Sequence, residues 1–263
     1  MLSFGRLDFE RGGFGLKRVV IITGASGGIG RAVSNLFQSR CDIMNTAIIW
    51  VDRPLASPVG LACNHKFVPL DVTDKFSFAQ GIKNVLSWYV NRGLVLINAA
   101  GVLPPPSPFV KTSEETIEKI LAVNLRGTMN CCKAVLPIMR EQGYGRIVNV
   151  SSTAAQSGDP GNTAYAVSKA AVEKLTKQLA IEAPFNKDGE PFDITVNAVA
   201  PGIVDTPMTA GLSEKALEKY FERSPLKRKI KPEEVAEAVY FLATVSAAIN
   251  GIILPVDGGY LAS

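Results

Sequence analysis

The chain has 263 residues, of which 47% are hydrophobic and 20% are charged. This composition supports a substantial buried core and excludes an intrinsically disordered protein, and the length suits one α/β domain. The net charge of +4 is small, and the one basic cluster, at 227–231, is too short to favour nucleic-acid binding. No apolar run approaches the ~20 residues of a membrane helix.

Residues 1–16 carry acids and glycines but no apolar core, so we expect a tail rather than a secretion signal or a transit peptide. Cys41, Cys63, Cys131 and Cys132 lack metal-ligand spacing, and free thiols of a cytoplasmic protein are the simplest interpretation. We therefore expect no metal site. His65 is the only histidine, and its polar neighbours in sequence predict a loop between the second and third strands.

Residues 19–22 are apolar and β-branched, and they run into a glycine-rich turn followed by an amphipathic segment. This order predicts a buried strand, a tight loop and a helix. Glycine allows a diphosphate to approach the main chain closely, and the free N–H groups at a helix start favour an anion. The turn therefore predicts a dinucleotide site, which consists of Gly24, Ser26, Gly28, Ile29 and Gly30.

A second apolar run, at 47–51, ends at Asp52. A carboxylate there can accept hydrogen bonds from an adenosine ribose and would repel a 2′-phosphate, which favours NAD over NADP. Arg53 points the other way, because an arginine at this place can accommodate that phosphate. Asp52 could also be only a turn residue that ends the strand. Its distance from Gly24 exceeds the usual spacing of about 20 residues, so we expect a lengthened connection at 41–46.

Five further strands are predicted by apolar runs, at 66–70, 93–97, 146–150, 194–199 and 251–256. Helical periodicity predicts helices at 73–90, at 113–139 and at 165–179. Small residues after strands let a ligand approach closely; they are Ala99 and Gly101 after the fourth strand, and Gly202 beside Pro201 after the sixth. Seven strands that alternate with helices predict one doubly wound parallel sheet with helices on both faces, an α/β Rossmann-type domain over 17–263.

Tyr165 and Lys169 are four residues apart on a predicted helix, so their side chains share one face. A tyrosine with a pKa of ~10 is a poor base at neutral pH, but a neighbouring ammonium and an oxidised nicotinamide would favour the phenolate. The pair can then act as a general acid or base, and Ser152, which follows the fifth strand, could orient a substrate oxygen. Considered without the other motifs, Tyr165 and Lys169 could also be an ordinary exposed pair on a helix surface.

Together these motifs resemble those of the short-chain dehydrogenase/reductase family, and the resemblance extends from residue 17 to the C-terminus. It rests on the following motifs: Thr23-Gly24-x-x-x-Gly28-Ile29-Gly30, Asn98-Ala99-Ala100-Gly101, Asn124, Ser152, Tyr165-x-x-x-Lys169 and Pro201-Gly202-x-x-x-Thr206. The resemblance implies that Tyr165 handles the substrate proton. It also implies that Lys169 lowers the pKa of the tyrosine and holds the nicotinamide ribose, and that Asn124 holds a water that links the lysine to solvent.

By the same resemblance Ser152 positions the carbonyl. Ser151 competes for this role, but the family's serine stands thirteen residues before the tyrosine, which favours Ser152. The implied cofactor contacts are Asp71 and Val72 to the adenine, Asn98 beside the cofactor, and Ile203 and Thr206 to the carboxamide.

The implied activity is hydride transfer between NAD(H) and a small secondary alcohol or ketone. An NADPH-dependent 3-ketoacyl-thioester reductase is the alternative enzyme, and a non-catalytic nucleotide-binding scaffold is the alternative of another class. Segment 207–231 is expected to set the substrate, and its apolar residues could form a lid over the nicotinamide or the buried face of one helix; they are Met208, Leu212, Leu217, Tyr220 and Phe221. We also expect a closed homo-oligomer, a tetramer or a dimer.

Overall fold

The structure, a computed structural model, describes residues 18–40, 46–53, 65–89, 92–185 and 189–263. The predicted tail at 1–16, residues 41–45 of the expected connection, Cys41 and Cys63 lie outside the described residues. Within these ranges, seven strands form one sheet: β1 (Arg18–Thr23), β2 (Thr46–Asp52), β3 (His65–Pro69), β4 (Gly93–Asn98), β5 (Tyr144–Val150), β6 (Asp193–Pro201) and β7 (Ile253–Val256).

The strand order is β3-β2-β1-β4-β5-β6-β7, and every neighbouring pair is parallel. The predicted doubly wound parallel sheet is therefore confirmed. Its central strands are buried on both faces, which is why they appear in the sequence as continuous apolar runs rather than as alternating ones.

The described part of the chain also contains seven α-helices: α1 (Gly28–Arg40), α2 (Lys75–Leu86), α3 (Glu114–Ile120), α4 (Thr128–Gln142), α5 (Thr163–Glu182), α6 (Glu214–Arg223) and α7 (Pro232–Thr244). Helices α1 and α7 cover one face of the sheet, where Phe37 and Val239 are fully buried. Helices α2, α4 and α5 cover the other face, where Phe78 and Val135 are fully buried. One core therefore lies on each side of the sheet.

The predicted helix at 113–139 is interrupted. It begins as predicted, because the Ser113 side chain accepts a hydrogen bond from the Thr116 amide, and α3 follows. The chain then forms a π-helix, Leu121–Gly127, before α4 continues the same direction. The predicted helix at 73–90 is also shorter than expected, since α2 ends at Leu86.

The prediction that His65 lies in a loop is wrong. His65 is the first residue of β3 and pairs with Ile48 of β2. Its ring centroid lies 5.8 Å from that of Trp50. Pairing with a neighbouring strand and contact with a large aromatic side chain stabilise an extended backbone that polar sequence neighbours do not suggest.

The parallel arrangement brings the carboxyl ends of all strands to one edge. The chain leaves β1 toward β2 and reaches β4 on the other side, so the strand order reverses between β1 and β4. Ligands of open α/β sheets bind at such a switch point. The glycine-rich turn after β1, the loop after β4 and the serines after β5 all lie at this edge.

Candidate active site

A cleft of about 670 Å³ opens at the carboxyl edge of the sheet. Ser152, Tyr165 and Lys169 line it together. Several of the predicted cofactor residues line the same cleft: Ile29, Ala99, Gly101, Pro201, Gly202, Ile203 and Thr206. The motifs that the sequence places far apart along the chain therefore meet at one site.

The glycine-rich turn is shaped by close backbone contacts. Gly24 has a φ of +66°, and a Cβ there would lie 2.7 Å from the backbone of Ala100. A Cβ at Gly28, the first residue of α1, would collide with the side chain of Thr206. The Ser26 hydroxyl is buried and has no hydrogen-bond partner among the described residues. Bare backbone at a helix start and an unpartnered hydroxyl fit the diphosphate of a dinucleotide.

Asp52 lies beside this turn at the end of β2. Its Oδ2 accepts a hydrogen bond from the Ser26 amide at 3.0 Å, and its Oδ1 accepts one from the Arg53 amide at 2.8 Å. The carboxylate is half-buried, whereas Arg53 is exposed. Asp52 therefore does more than end a strand, because its side chain is bound to the glycine-rich turn.

Of the remaining predicted cofactor residues, Asp71 and Val72 follow β3 next to the end of β2, since the Leu70 amide donates to the Asp52 carbonyl. The Asp71 carboxylate accepts hydrogen bonds from the amide and the hydroxyl of Thr73 at 2.8 and 2.7 Å. The Val72 side chain is buried. Both residues are at the edge where an adenine would lie.

The Asn98 side chain does not reach the cleft. Its amide nitrogen donates to Asn149 Oδ1 at 2.9 Å and contacts the Cys132 sulfur at 3.5 Å, so the side chain points under the sheet toward α4. Only the backbone of Asn98 is left to flank a cofactor. The small residues after it, Ala99 and Gly101, line the cleft as predicted.

Lys169 is held deep in the site. Its ammonium donates a hydrogen bond to the Val150 carbonyl at 2.7 Å, and the side chain is buried. It lies 5.8 Å from the ring centroid of Tyr165, which is half-buried. The two side chains share one face of α5, as their spacing predicts.

The two serines after β5 point in different directions. The Ser151 hydroxyl is buried and donates to Glu173 Oε1 at 3.0 Å, with a second contact to the Lys169 carbonyl at 3.3 Å. Both serines line the cleft, but Ser152 is only half-buried, and its hydroxyl accepts a hydrogen bond from the Ala154 amide at 3.2 Å and leaves its own proton free to donate. The geometry thus favours Ser152 over Ser151 as the residue that meets a substrate.

Asn124 lies in the π-helix and is fully buried. Its amide nitrogen donates to the Val102 carbonyl at 3.0 Å and to the Ser168 hydroxyl at 3.1 Å, and its oxygen accepts from the Val102 amide at 2.8 Å. Asn124 therefore ties the loop after β4 to α5, directly behind Lys169. A Cβ at Gly101 would be 3.4 Å from the Asn124 oxygen and 3.6 Å from the Lys169 nitrogen.

Segment 207–231 covers the cleft with part of its apolar set. Met208, Leu212 and Tyr220 line the cleft, whereas Leu217 and Phe221 do not. Leu217, Tyr220 and Phe221 lie on α6, whereas Met208 and Leu212 precede it, so the apolar set does not form the face of one helix; a lid over the nicotinamide stays a prediction. Tyr220 is buried, and the ring of Tyr260 stacks on it with a centroid distance of 4.3 Å.

The cleft also contains a polar cluster that no sequence motif predicts, formed by Asp159, Arg223 and Tyr260. Tyr260 donates to the Asp159 carboxylate at 2.7 Å and accepts from Arg223 at 2.7 Å. Arg223 and Asp159 also form an ion pair at 3.5 Å. These residues come from three distant parts of the chain, and no local pattern signals that they meet.

Comparison with known proteins identifies the family. The family model described as enoyl-(acyl carrier protein) reductase matches residues 24–261. The 3-oxoacyl-[acyl-carrier-protein] reductase FabG of Thermotoga maritima is 39% identical over 246 residues, which are 92% of this chain and 97% of that protein. The chain belongs to the short-chain dehydrogenase/reductase family.

Two solved structures share the fold of this short-chain dehydrogenase/reductase closely. ElxO with NADP bound has a TM-score of 0.81 and 29% identity, and the match covers 94% of this chain and 99% of that one. A 3-oxoacyl-[acyl-carrier protein] reductase from Brucella melitensis with bound NAD has a TM-score of 0.78 and 29% identity, with 94% and 92% covered. The family binds a nicotinamide cofactor, and these two neighbours carry different forms of it.

Burial dominates the electrostatics of the dehydrogenase site. It lowers the pKa of Lys169 to about 8. It also raises the pKa of Tyr165, which a hydrogen bond with Ser152 lowers in part. In the protein alone, the loss of solvent around the phenolate outweighs the hydrogen bond with Ser152. A lower tyrosine pKa in the presence of Lys169 and a bound nicotinamide stays a prediction.

Two residues of the basic cluster are paired, and the two described cysteines are buried. Arg228 of the basic cluster forms an ion pair with Glu234 at 2.7 Å, and Lys229 forms one with Asp205 at 3.3 Å. Burial raises the pKa of the Cys131 and Cys132 thiols, that of Cys132 to about 12. No group of metal-ligating side chains occurs in the described ranges, and no helix there is long and apolar enough to cross a membrane.

Proposed function

We propose that this short-chain dehydrogenase/reductase transfers a hydride between NAD(H) and a small secondary alcohol or its ketone. The observation that carries the proposal is the convergence of Ser152, Tyr165 and Lys169 on one cleft beside the glycine-rich turn. A bound nicotinamide supplies the hydride donor or acceptor. The bare backbone around Gly24 and Gly28 and the free hydroxyl of Ser26 would hold its diphosphate.

The residues of this chain manage the proton. In ketone reduction the Tyr165 hydroxyl donates a proton to the carbonyl oxygen, and in alcohol oxidation the phenolate accepts it. The Ser152 hydroxyl donates a hydrogen bond to the same oxygen and fixes its place. Lys169 brings a positive charge that stabilises the phenolate, and Asn124 fixes the loop behind the lysine.

Tyr165→Phe tests this assignment. The variant keeps the ring and its packing but cannot move a proton, so turnover should fall by at least ~10²-fold. Its affinity for NADH should stay within experimental error of the wild type. Activity that survives the change refutes the role of Tyr165. A protein that binds neither NADH nor NADPH would instead be a scaffold rather than an enzyme.

We infer NAD as the cofactor from Asp52. Its carboxylate is fixed beside the turn by the Ser26 amide, where it would repel the negative 2′-phosphate of NADP. Fluorescence titration at fixed salt should give tighter binding of NADH than of NADPH. Asp52→Asn should reduce the ratio of the Kd for NADPH to the Kd for NADH by about 10-fold or more, since like charges a few ångströms apart repel by about 1–4 kcal/mol. Arg53→Ala is the matched control, and a preference for NADPH that Arg53→Ala abolishes would refute the inference.

The alternative substrate class is a 3-oxoacyl thioester, supported by the 39% identity to the reductase of Thermotoga maritima. Acetoacetyl-CoA and 2,3-butanediol are suitable probes, because both carry a secondary alcohol or ketone but only the first carries a thioester. A kcat/KM for acetoacetyl-CoA far above that for the diol and its ketone favours the acyl reductase.

We also propose a closed homo-oligomer formed through α4 and α5. Both helices carry apolar side chains that are exposed in the single chain, Met129 with 38% and Val167 with 57% exposure. Light scattering at micromolar concentration should give a dimer or a tetramer, and Val167→Glu should shift it toward smaller species. A monomeric wild type refutes this proposal.

A further inference from the structure

Glu173 is a buried acid that the proposed mechanism does not use. Its side chain is on α5, one turn after Lys169, and it is only 9% exposed. Its Oε1 accepts two hydrogen bonds, from the Ser151 hydroxyl at 3.0 Å and from the Gln156 amide nitrogen at 3.0 Å. These two donors stand on either side of Ser152 along the chain.

The same face of α5 makes a third hydrogen bond to segment 150–156. The Lys169 ammonium donates to the Val150 carbonyl at 2.7 Å, at the end of β5. Residues 150, 151 and 156 are thus all bound to α5, and the residues between them form one short 3₁₀ turn, Thr153–Ala155, which Ser152 caps. Because Tyr165 is on α5 as well, these bonds set where Ser152 lies relative to Tyr165.

We propose that Glu173 is a positioning residue, which holds Ser151 and Gln156 so that the Ser152 hydroxyl faces Tyr165. This inference rests on the proposed function of Ser152 and Tyr165. An apolar side chain of similar size would fill the same space without the free-energy cost of burying a carboxylate. The contribution of Glu173 therefore lies in its two directional hydrogen bonds.

Glu173→Met and Glu173→Gln test the proposal as a pair. The methionine keeps the volume but loses the acceptor, whereas the glutamine keeps Oε1 and both bonds. With acetoacetyl-CoA or 2,3-butanediol as probe, Glu173→Met should lower kcat by about 10- to 100-fold, the range expected for a reacting group displaced by about 1 Å. NADH affinity should not change, and Glu173→Gln should restore kcat to near the wild-type value.

The Ser152→Ala background separates positioning from general destabilisation. If Glu173 acts through Ser152, then Glu173→Met should cause little further loss of kcat in that background, even where it still lowers the melting temperature. Losses that multiply overturn the proposal. So does a Glu173→Met variant that loses stability but keeps its kcat.

The pH profile of alcohol oxidation gives a second readout. The hydrogen bond from Ser152 lowers the pKa of Tyr165, so its loss should move the rising limb to higher pH. Glu173→Met and Ser152→Ala should shift this limb alike, and Glu173→Gln should not. An unshifted limb in Glu173→Met overturns the proposal.

Gln156→Ala keeps the proposal testable if Glu173→Met does not fold. Gln156 is exposed, so its loss removes one of the two bonds without opening the core. It should lower kcat several-fold in the wild type and not in Ser152→Ala; an equal loss in both overturns the proposal.

An active Tyr165→Phe would refute the proposed function, whereas an inactive Tyr165→Phe beside a fully active Glu173→Met refutes only the role of Glu173. Crystal structures of Glu173→Met and Glu173→Gln give the Ser152 position without any turnover, and an unmoved hydroxyl in both overturns the inference.

Discussion

The buried ammonium of Lys169 should make the stability of this protein depend on pH in an unusual direction. Burial lowers the pKa of this side chain from 10.5 to about 8, so above pH 8 the folded protein releases a proton that the unfolded chain keeps until about pH 10.4. The unfolded state then binds more protons, and the free energy of unfolding rises with pH across this window. The full difference corresponds to about 3 kcal/mol, most of which is reached by pH 10.

Lys169→Met isolates this effect, because methionine has a similar length and no charge. Urea denaturation without added cofactor, at pH 7, 8, 9 and 10, gives the free energy of unfolding of both proteins. The wild type should gain about 2–3 kcal/mol relative to Lys169→Met between pH 7 and pH 10. Comparison at each pH cancels the contribution of other groups. Tyr165, whose raised pKa acts in the opposite direction, contributes mainly from about pH 10 upward. A difference that stays constant across the window refutes the reasoning.

Three further outcomes follow from the geometry and the electrostatics of the site. Gly24→Ala should lower NADH affinity by about 10-fold or more, because a Cβ would meet the backbone of the loop after β4 at 2.7 Å and φ is positive; Gly211→Ala, in open space, is the control for the affinity measurement. Arg223→Gln should raise KM several-fold in steady-state kinetics and change stability by less than about 1 kcal/mol, since its bond to Tyr260 holds α6 at the cleft; an unchanged KM contradicts this. Because the pKa of Tyr165 is raised, the rate of alcohol oxidation should increase with pH and the rate of ketone reduction should decrease. Measured pH profiles with the opposite trends would contradict the role of Tyr165.

Much of the fold could be predicted from the sequence because each layer leaves a local pattern. Buried parallel strands appear as apolar runs, and the spacing of Tyr165 and Lys169 places them on one helix face without any tertiary information. The π-helix around Asn124 could not be predicted, since apolar periodicity continues through it. The contact between Tyr260 and Asp159 joins residues that no sequence period relates.

The direction of Asn98 could have been predicted from strand geometry. Successive side chains of a strand alternate between faces, so Asn98 must share the face of Leu94 and Leu96. Those leucines pack in the core beneath α2 and α4, and Asn98 pairs there with Asn149 of β5. A motif residue that ends a strand is therefore not automatically a ligand contact, because its place in the alternation of the strand decides on which face of the sheet its side chain lies.

Loss of solvent acts on both Tyr165 and Lys169, and this bears on the proposed catalysis. Burial disfavours the phenolate of Tyr165 and the ammonium of Lys169 separately, because each would be a lone charge in a poorly solvated place. When the tyrosine gives up its proton while the lysine keeps its own, the two charges stabilise each other across a region of low dielectric constant. In the proposed mechanism, the protonated tyrosine would be the resting acid for carbonyl reduction. In that mechanism the lysine charge would make the phenolate accessible, and a positively charged nicotinamide would add to that effect.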